Sequence, residues 1–534
     1  MEVASQRVRQ ACARLVALPG GVLFLLFFAA VAISHLTLLH LPYYWDEGGY
    51  YIPAALDFYH TGQLVPHFTN AHPPLPNIVL GTLWHIVGVH ILATRLAVCA
   101  FAAAGLLAVF RLTQNLLDAP AAVAVALLTA VYPIWFAQST LAHADMFAAA
   151  CTLWGMVFVL PVRERKPWAA ALWFGAAVLC KETAIAIPLA LSAINLVESV
   201  HEQAPIRRRL WREAAWLGSC VVPLVAWYGY HWSKTGFLFG NPEFVRYNAQ
   251  ATLAPLRILS AFVHRILHLT AHMNLFVPVL MTCAALILIP RRDTGGNERA
   301  GIDNRTMKRI LVLLLVNAVV FSVLGGALLT RYLLPMYPLV LLIAVTAFHR
   351  RVPFWPVLAA FSAASLAAGL FINPPYGFAP EDNLAYAHVI RLHQAAIAQL
   401  GKHYPAATVL TAWPVSDELT KPELGYVKQA WDIARVEDFT AAQIALASDE
   451  PEKFSAALVF STKYEPSRPL FNLGPWSEAL DEQYFGMHHD LTPEQIAKQL
   501  GGEVVWTKSD DGQWVALIRF QRVLAAKLGS APPL

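Results

Sequence analysis

The sequence predicts an all-α polytopic membrane bundle of about eleven spans, followed by a C-terminal soluble α/β domain. Three observations carry that prediction. The 534 residues are 57% hydrophobic and 14% charged, with a mean hydropathy of +0.48, whereas a soluble domain is about half apolar and about a quarter charged. Apolar residues come in blocks of about 18–22 up to residue 372, the length that crosses a hydrocarbon core about 30 Å thick. The charge also divides there. Residues 373–534 hold 13 Lys and Arg against 20 Asp and Glu, so the formal +4 of the whole chain hides a basic membrane part and an acidic tail. That division excludes nucleic acid as a partner. Spanning proteins concentrate Lys and Arg in cytoplasmic loops, and an acidic water-facing tail repels phosphate backbones.

Taken in order, Arg7, Arg9 and Arg14 precede the apolar run Val22–Leu41, and no small-residue cleavage site follows. The run therefore reads as an uncleaved first span (about 20–41), entering from the basic side. A polar, aromatic loop (42–74) comes next. The run 75–91 is read as a surface or half-inserted helix, because counting it as a span would place Arg163, Arg165 and Lys166 outside. Ten further spans then follow, at about 94–115, 119–137, 145–161, 167–180, 184–198, 212–231, 272–290, 309–328, 332–348 and 353–372. A second long outer loop is expected at 232–271. This threading puts Arg207–Arg209, Arg291–Arg292 and Arg350–Arg351 inside with the Arg163 cluster.

The tail, 373–534, then lies outside. Strand-like runs occur at Thr408–Trp413, Ala457–Ser461, Val504–Lys508 and Trp514–Phe520, the last two joined by a hairpin signal at Asp510-Asp511-Gly512. Helical stretches occur at about 383–401 and 492–500. The domains are thus 1–372 and 373–534. The six cysteines (Cys12, Cys99, Cys151, Cys180, Cys220, Cys283) all precede residue 372 without CxxC spacing. They imply neither a disulfide framework nor a zinc-cysteine site, and read as small buried apolar residues.

With that threading, the unusual polar residues gather on the outer side. Tyr43-Tyr44-Trp45-Asp46-Glu47 opens the first outer loop, and paired carboxylates at a membrane boundary suit a general base facing an acceptor hydroxyl. They equally suit a solvated loop start. His72-Pro73-Pro74 closes that loop, its prolines fixing an extended approach to the next helix. Asp145 stands at the outer start of a span, where an acid is also a good helix N-cap. Lys181-Glu182 and Arg331-Tyr332 occupy two short outer turns. Cations there run against the positive-inside bias, and a lipid phosphate would explain them, as would a headgroup contact or pairing with Glu182. Aromatics Tyr43, Tyr44, Trp45, Tyr50, Tyr51, Trp227, Tyr228 and Trp232 suit sugar stacking or interfacial anchoring.

These residues resemble the GT-C glycosyltransferases of the protein O-mannosyltransferase and lipid A aminoarabinose transferase type. The likeness covers about residues 20–372. It rests on Asp46-Glu47, His72-Pro73-Pro74, Asp145, Lys181-Glu182 and Arg331-Tyr332-Leu333-Leu334-Pro335, in that order along the chain. The resemblance implies a GT-C bundle of eleven to thirteen spans and inverting transfer from a polyprenyl-phosphate sugar to an extracytoplasmic lipid, glycan or protein hydroxyl. It implies a hexosyl- or pentosyltransferase in a bacterial inner membrane. Asp46, with Glu47 beside it, would be the base or orient the acceptor, and Asp145 a second acid. Lys181, Arg331 and His72 would meet the donor phosphate, with Tyr44, Trp45, Glu182 and Tyr332 touching substrate.

One departure stands out. Where relatives with aminoarabinose donors often carry Glu-Lys-Pro-Pro, this chain has Ala71-His72-Pro73-Pro74, so a titratable ring replaces the fixed cation. The acid from which some relatives partly build a divalent metal site is missing, and no motif calls for another cofactor. Three other functions are weighed, one of them a non-enzymatic membrane scaffold whose tail binds partners. A transporter would place ionisable residues near the midplane on broken, repeated halves, and no repeat is seen. A ligase using a diphosphate-linked glycan would share the outer site.

Overall fold

The computed structural model describes residues 14–65, 72–161, 165–240, 246, 249, 252–292, 296, 298–464, 466 and 474–520. Arg7, Arg9, Cys12, Ala71 and Arg163 lie outside them. The chain forms two compact units: Met1–Leu39 with Tyr51–Ile372, and His40–Tyr50 with Asn373–Leu534.

The first unit is helical. Its principal helices are α1 (Gly20–Ser34), α2 (Ile91–Leu116), α3 (Ala119–Val131), α4 (Ala144–Val159), α5 (Pro167–Cys180), α6 (Ala186–Val200), α7 (Ala204–Gly218), α8 (Pro255–Thr270), α9 (Phe276–Ile287), α10 (Asn304–Val323), α11 (Tyr337–Arg351) and α12 (Trp355–Ala368). Local chemistry sets several starts. Asp118 accepts the Ala121 N–H at the start of α3, and Asp303 accepts from Arg305 and Thr306 at the start of α10. Prolines stand in the first turns of α3, α5, α7, α8, α11 and α12, where a missing N–H removes no helical bond.

Close approach rests on glycine. A Cβ on Gly105 of α2 would stand 2.7 Å from the Trp135 ring, and one on Gly155 of α4 would stand 2.6 Å from the Phe174 ring of α5. Small residues at such seams let apolar helices gain packing that lipid does not supply. Three helices among the described residues are by themselves long and apolar enough to cross a membrane: Ile91–Leu116, Glu182–Val200 and Asn304–Val323. The pair Pro255–Asn274 and Phe276–Ile287, bent by 100°, would make a fourth if counted as one span. The bend falls where Met273 and Asn274 take positive φ, 49° and 65°.

The structure departs from the hydropathy reading in several places: the expected loop 42–74 contains a helix at Ile52–Thr61, and the expected span 119–137 breaks at Tyr132 into Ala119–Val131 and Pro133–Gln138. The apolar run 212–231 is not one helix: α7 stops at Gly218 and a second helix, Val221–Thr235, starts after Cys220. In α7, Glu213 is buried while Trp211 and Trp216 are exposed, so it is an amphipathic segment that an averaged apolar window cannot separate from a span. The expected loop 232–271 contains α8, whose buried face is Arg257, Ala261, Arg265 and Leu269 while Leu256, Leu259 and Leu267 are exposed. Its polarity is inside out relative to a soluble helix, and Arg257, His264, Arg265 and His268 interrupt its apolar residues, which lowers the averaged hydropathy that marks a span. The run 75–91 forms a helix at Leu75–Val87, 13 residues long and so about 20 Å.

The second unit holds a five-stranded sheet of β1 (Val409–Thr411), β2 (Ile433–Arg435), β3 (Ala456–Phe460), β4 (Gly502–Asp510) and β5 (Gln513–Phe520), in the order β2-β1-β3-β5-β4. β1 runs parallel to β2 and β3, and β5 antiparallel to β3 and β4. Helices α13 (Ala385–His403) and α14 (Pro493–Leu500) cover a core that includes Leu392, Leu400, Leu458, Leu500 and Ile518. The β4–β5 turn is the Asp511-Gly512 pair with φ of 47° and 82°, the two positive values a two-residue hairpin needs. β2, a three-residue edge strand, lacks a sequence signal.

Candidate active site

The residues of the expected outer site that belong to the first unit converge at one end of its bundle. α4 and α5 are joined by a short connection and run antiparallel, so the start of α4 and the end of α5 share an end. Asp145 lies in the first turn of α4 and Lys181 directly follows α5. The Lys181 Nζ donates to Asp145 Oδ1 at 2.5 Å. Arg331, in the turn between α10 and α11, brings its Nε to 3.3 Å from Asp145 Oδ2. All three side chains are at least 94% buried, so one carboxylate carries two cations away from bulk water. At that depth each charge interacts far more strongly than on a surface, and removing the shared carboxylate would leave both cations uncompensated.

Tyr332 closes the cluster. Its ring centre lies 3.9 Å from Lys181 Nζ and 5.7 Å from the Arg265 guanidinium carbon. Phe321 stacks on the ring, 5.3 Å between centres. This is cation–π geometry on an aromatic face already fixed by packing. The cavity beside these groups is about 20 Å³, lined by Asp145, Lys181, Arg331, Tyr332, Asn317 and Phe321 among others. That is room for about one water, so any larger anion meeting the cations requires side-chain movement.

A second pair adjoins the first in sequence. His72 Nδ1 stands 2.9 Å from Glu182 Oε2. The Tyr51 ring stacks on the His72 ring, 5.9 Å between centres and 8° between planes, and lies 5.7 Å from the ring of His143. His143, fully buried just before α4, is oriented by a 2.8 Å contact between its Nδ1 and Gln138 Oε1. In this structure, therefore, His72 is engaged with Glu182.

The turn that delivers Arg331 is held by two buried arginines on α8. Arg257 donates to the carbonyls of Gly325, at 2.5 Å, and Gly326, at 3.2 Å. Arg265 donates from Nε to Phe321 O at 3.2 Å and from NH1 to Leu329 O at 2.7 Å. Eight residues apart, they lie on one face of the helix. Sequence reasoning missed these two, together with His143 and Arg95, which donates to Thr140 O at 2.6 Å. A single signal marks the arginines: a guanidinium inside an apolar stretch, as in Ala261-Phe262-Val263-His264-Arg265-Ile266-Leu267.

Asp46, Glu47, Tyr44 and Trp45 belong to the second unit. There the Tyr43 N–H donates to Leu424 O at 3.0 Å. Tyr44 packs against Tyr386 (5.8 Å between ring centres) and Trp45 against Trp413 (4.9 Å). Glu47 is fully buried and accepts the Tyr44 N–H at 2.8 Å, closing a tight local turn. Among the described residues no group of three or more His, Cys, Asp or Glu side chains is placed to hold a metal ion.

Residues 71–227 match the family model described as dolichyl-phosphate-mannose-protein mannosyltransferase, a segment that contains His72, Asp145, Lys181 and Glu182. More than nine-tenths of the chain matches solved structures of ArnT from Cupriavidus metallidurans. The apo form gives a TM-score of 0.52 at 16% identity, covering 93% of this chain and 98% of that one. The form bound to undecaprenyl phosphate gives 0.51 at 16% identity, over 92% and 97%. The chain has the ArnT fold. No curated protein sequence matches it. The resemblance drawn from Asp46-Glu47 to Arg331-Tyr332, to GT-C glycosyltransferases of the mannosyltransferase and aminoarabinose transferase type, is thereby borne out. ArnT and this chain share a helical membrane part followed by a small C-terminal sheet.

Proposed function

We propose that the protein is an inverting glycosyltransferase. It would move a hexosyl or pentosyl group from a polyprenyl-phosphate donor to a lipid, glycan or protein hydroxyl on the extracytoplasmic side of an inner membrane, through a bundle of about eleven spans. The observation that carries this reading is the buried Asp145–Lys181–Arg331 cluster, two cations on one carboxylate under the Tyr332 ring. The ArnT fold supports it, as does the family match over residues 71–227.

In this reading Lys181 and Arg331 meet the charge that accumulates on the departing phosphate, with His72 close by in the same unit. Fixed cations in a water-poor pocket supply the electrostatic term that usually dominates such chemistry. Asp145, the second acidic residue of the site, keeps the two cations together as a carboxylate before substrate arrives. Asp46, with Glu47 beside it in the chain, takes the proton from the acceptor hydroxyl as that oxygen attacks the anomeric carbon from the face opposite the phosphate. Tyr44, Trp45, Glu182 and Tyr332 contact the sugar or acceptor. The carrier's chain has an apolar groove at hand: a cavity of about 320 Å³ among α8, α9, α10 and α11, lined by Leu269, Val279, Leu314 and Ile343 among others.

The test is transfer by the purified full chain in detergent, supplied with radiolabelled polyprenyl-phosphate sugars and a membrane extract as acceptor source. Label is expected to move into extract lipid, glycan or protein. Label moving only across a sealed vesicle would instead make the protein a transporter. Label accepted only from diphosphate-linked glycans would make it a ligase.

A further inference from the structure

The opposite end of the first unit holds a second buried cluster that the proposed reaction does not use. It gathers the α4–α5 connection, the last turns of α6, α7, and the first turns of α10. Arg165 NH1 lies 3.2 Å from Glu213 Oε2, and Arg209 Nε 2.9 Å from Glu213 Oε1. Arg305 NH2 and Arg309 NH2 both converge on Glu198 Oε2, at 2.5 and 2.7 Å. Four guanidinium groups thus face two carboxylates.

The hydrogen-bond inventory has gaps on one side only. Arg309 is 1% exposed and Asn195 fully buried. Arg309 NH2 donates to Asn195 Oδ1 at 2.6 Å, which fixes the amide so that its Nδ2 points away. Among the described residues, Arg309 Nε, Arg309 NH1, Asn195 Nδ2 and Arg165 NH2 are buried without an acceptor. Every orphan is a donor. Buried polar groups in folded proteins are nearly always paired, so four orphan donors in one cluster, where four guanidinium groups face two carboxylates, ask for an acceptor carrying negative charge. Burial, and after it the charge of Arg309, depress the Arg165 guanidinium, which says the same of its surroundings.

Access exists. Arg209 and Arg305 expose 54% and 36% of their side chains, so the cluster opens to the surface through them. That surface is the outer face of α7, where exposed Ile206, Trp211 and Trp216 sit among Arg207, Arg208 and Arg212, the make-up of a helix lying at a lipid headgroup boundary. We infer that Arg165, Asn195, Arg305 and Arg309 form a binding site for a phosphate-class anion, supplied either by an anionic phospholipid headgroup or by free phosphate. Planar guanidinium forks match the oxygens of such an anion two at a time.

The test uses the purified full chain in neutral detergent. Its melting temperature is followed while inorganic phosphate is titrated against chloride at equal ionic strength. Separately, phosphatidylglycerol is titrated against phosphatidylcholine in mixed micelles. A saturable rise of several degrees with phosphate alone identifies a free anion, and a rise with phosphatidylglycerol alone identifies a headgroup. Either result, or both, supports the site. Arg309→Lys, which keeps the charge and loses the fork, is expected to shift half-saturation at least tenfold. Asn195→Ala gives a second reading of the same shift should the first variant not fold. No saturable rise with either ligand, or an unchanged response in the variants, overturns the proposal and leaves the orphan donors to water.

Discussion

Lys181→Met is expected to lower kcat by roughly 10²–10³-fold, the usual loss when one donor to a developing negative charge is removed from a preorganised site. The fold should survive. In this variant Asp145 still faces Arg331 across 3.3 Å, so no buried charge is orphaned. Asp145→Ala is the instructive contrast. It leaves Lys181 and Arg331 facing each other without their shared carboxylate, and breaking such a buried pair costs about 3–5 kcal/mol. Initial rates with labelled donor, taken beside a thermal melt, separate the two. A Lys181→Met enzyme with wild-type kcat would reduce the cluster to an ion pair that holds α4 to α5.

Asp46→Asn is expected to lower kcat by roughly 10²–10⁴-fold with donor KM unchanged, because a general base acts on the acceptor in the transition state and not on the bound carrier. Equal transfer rates in variant and wild type would remove Asp46 from the role. So would a side-specific labelling result: cysteines placed at Asp46 and at Arg331 must react with an impermeant reagent added from the same face of the membrane.

Much of this was readable before the structure, and the reasons are physical. Long apolar helices announce themselves by composition, so α2 and α10 fall close to the expected spans at 94–115 and 309–328. The β4–β5 hairpin was readable because Asp511-Gly512 is one of the few pairs that tolerate two positive φ values. Asp145, Lys181 and Arg331 stood out because charges at span boundaries need a reason, and the structure does bring those three together.

What stayed hidden was whatever depends on a partner. Arg257 and Arg265 look like surface charges of an ordinary amphipathic helix until the 322–330 turn is seen to supply their acceptors. Glu213 sits inside what averages to an apolar run, and only its pairing with Arg165 and Arg209 explains its burial. His72 stands against Glu182, a contact between residues 110 apart that no local pattern encodes. Nor does sequence order show that His40–Tyr50, far from the tail in the chain, packs in one unit with Asn373–Leu534.

The central claim is that Lys181 and Arg331 together receive the phosphate of a polyprenyl carrier. Binding of undecaprenyl phosphate to the purified full chain, read by native mass spectrometry in neutral detergent, tests it without any knowledge of sugar or acceptor. Wild type should retain the lipid, while Lys181→Met and Arg331→Gln should each bind roughly 10–100-fold more weakly, the worth of one hydrogen bond to a charged group. Equal retention by all three proteins would contradict the account.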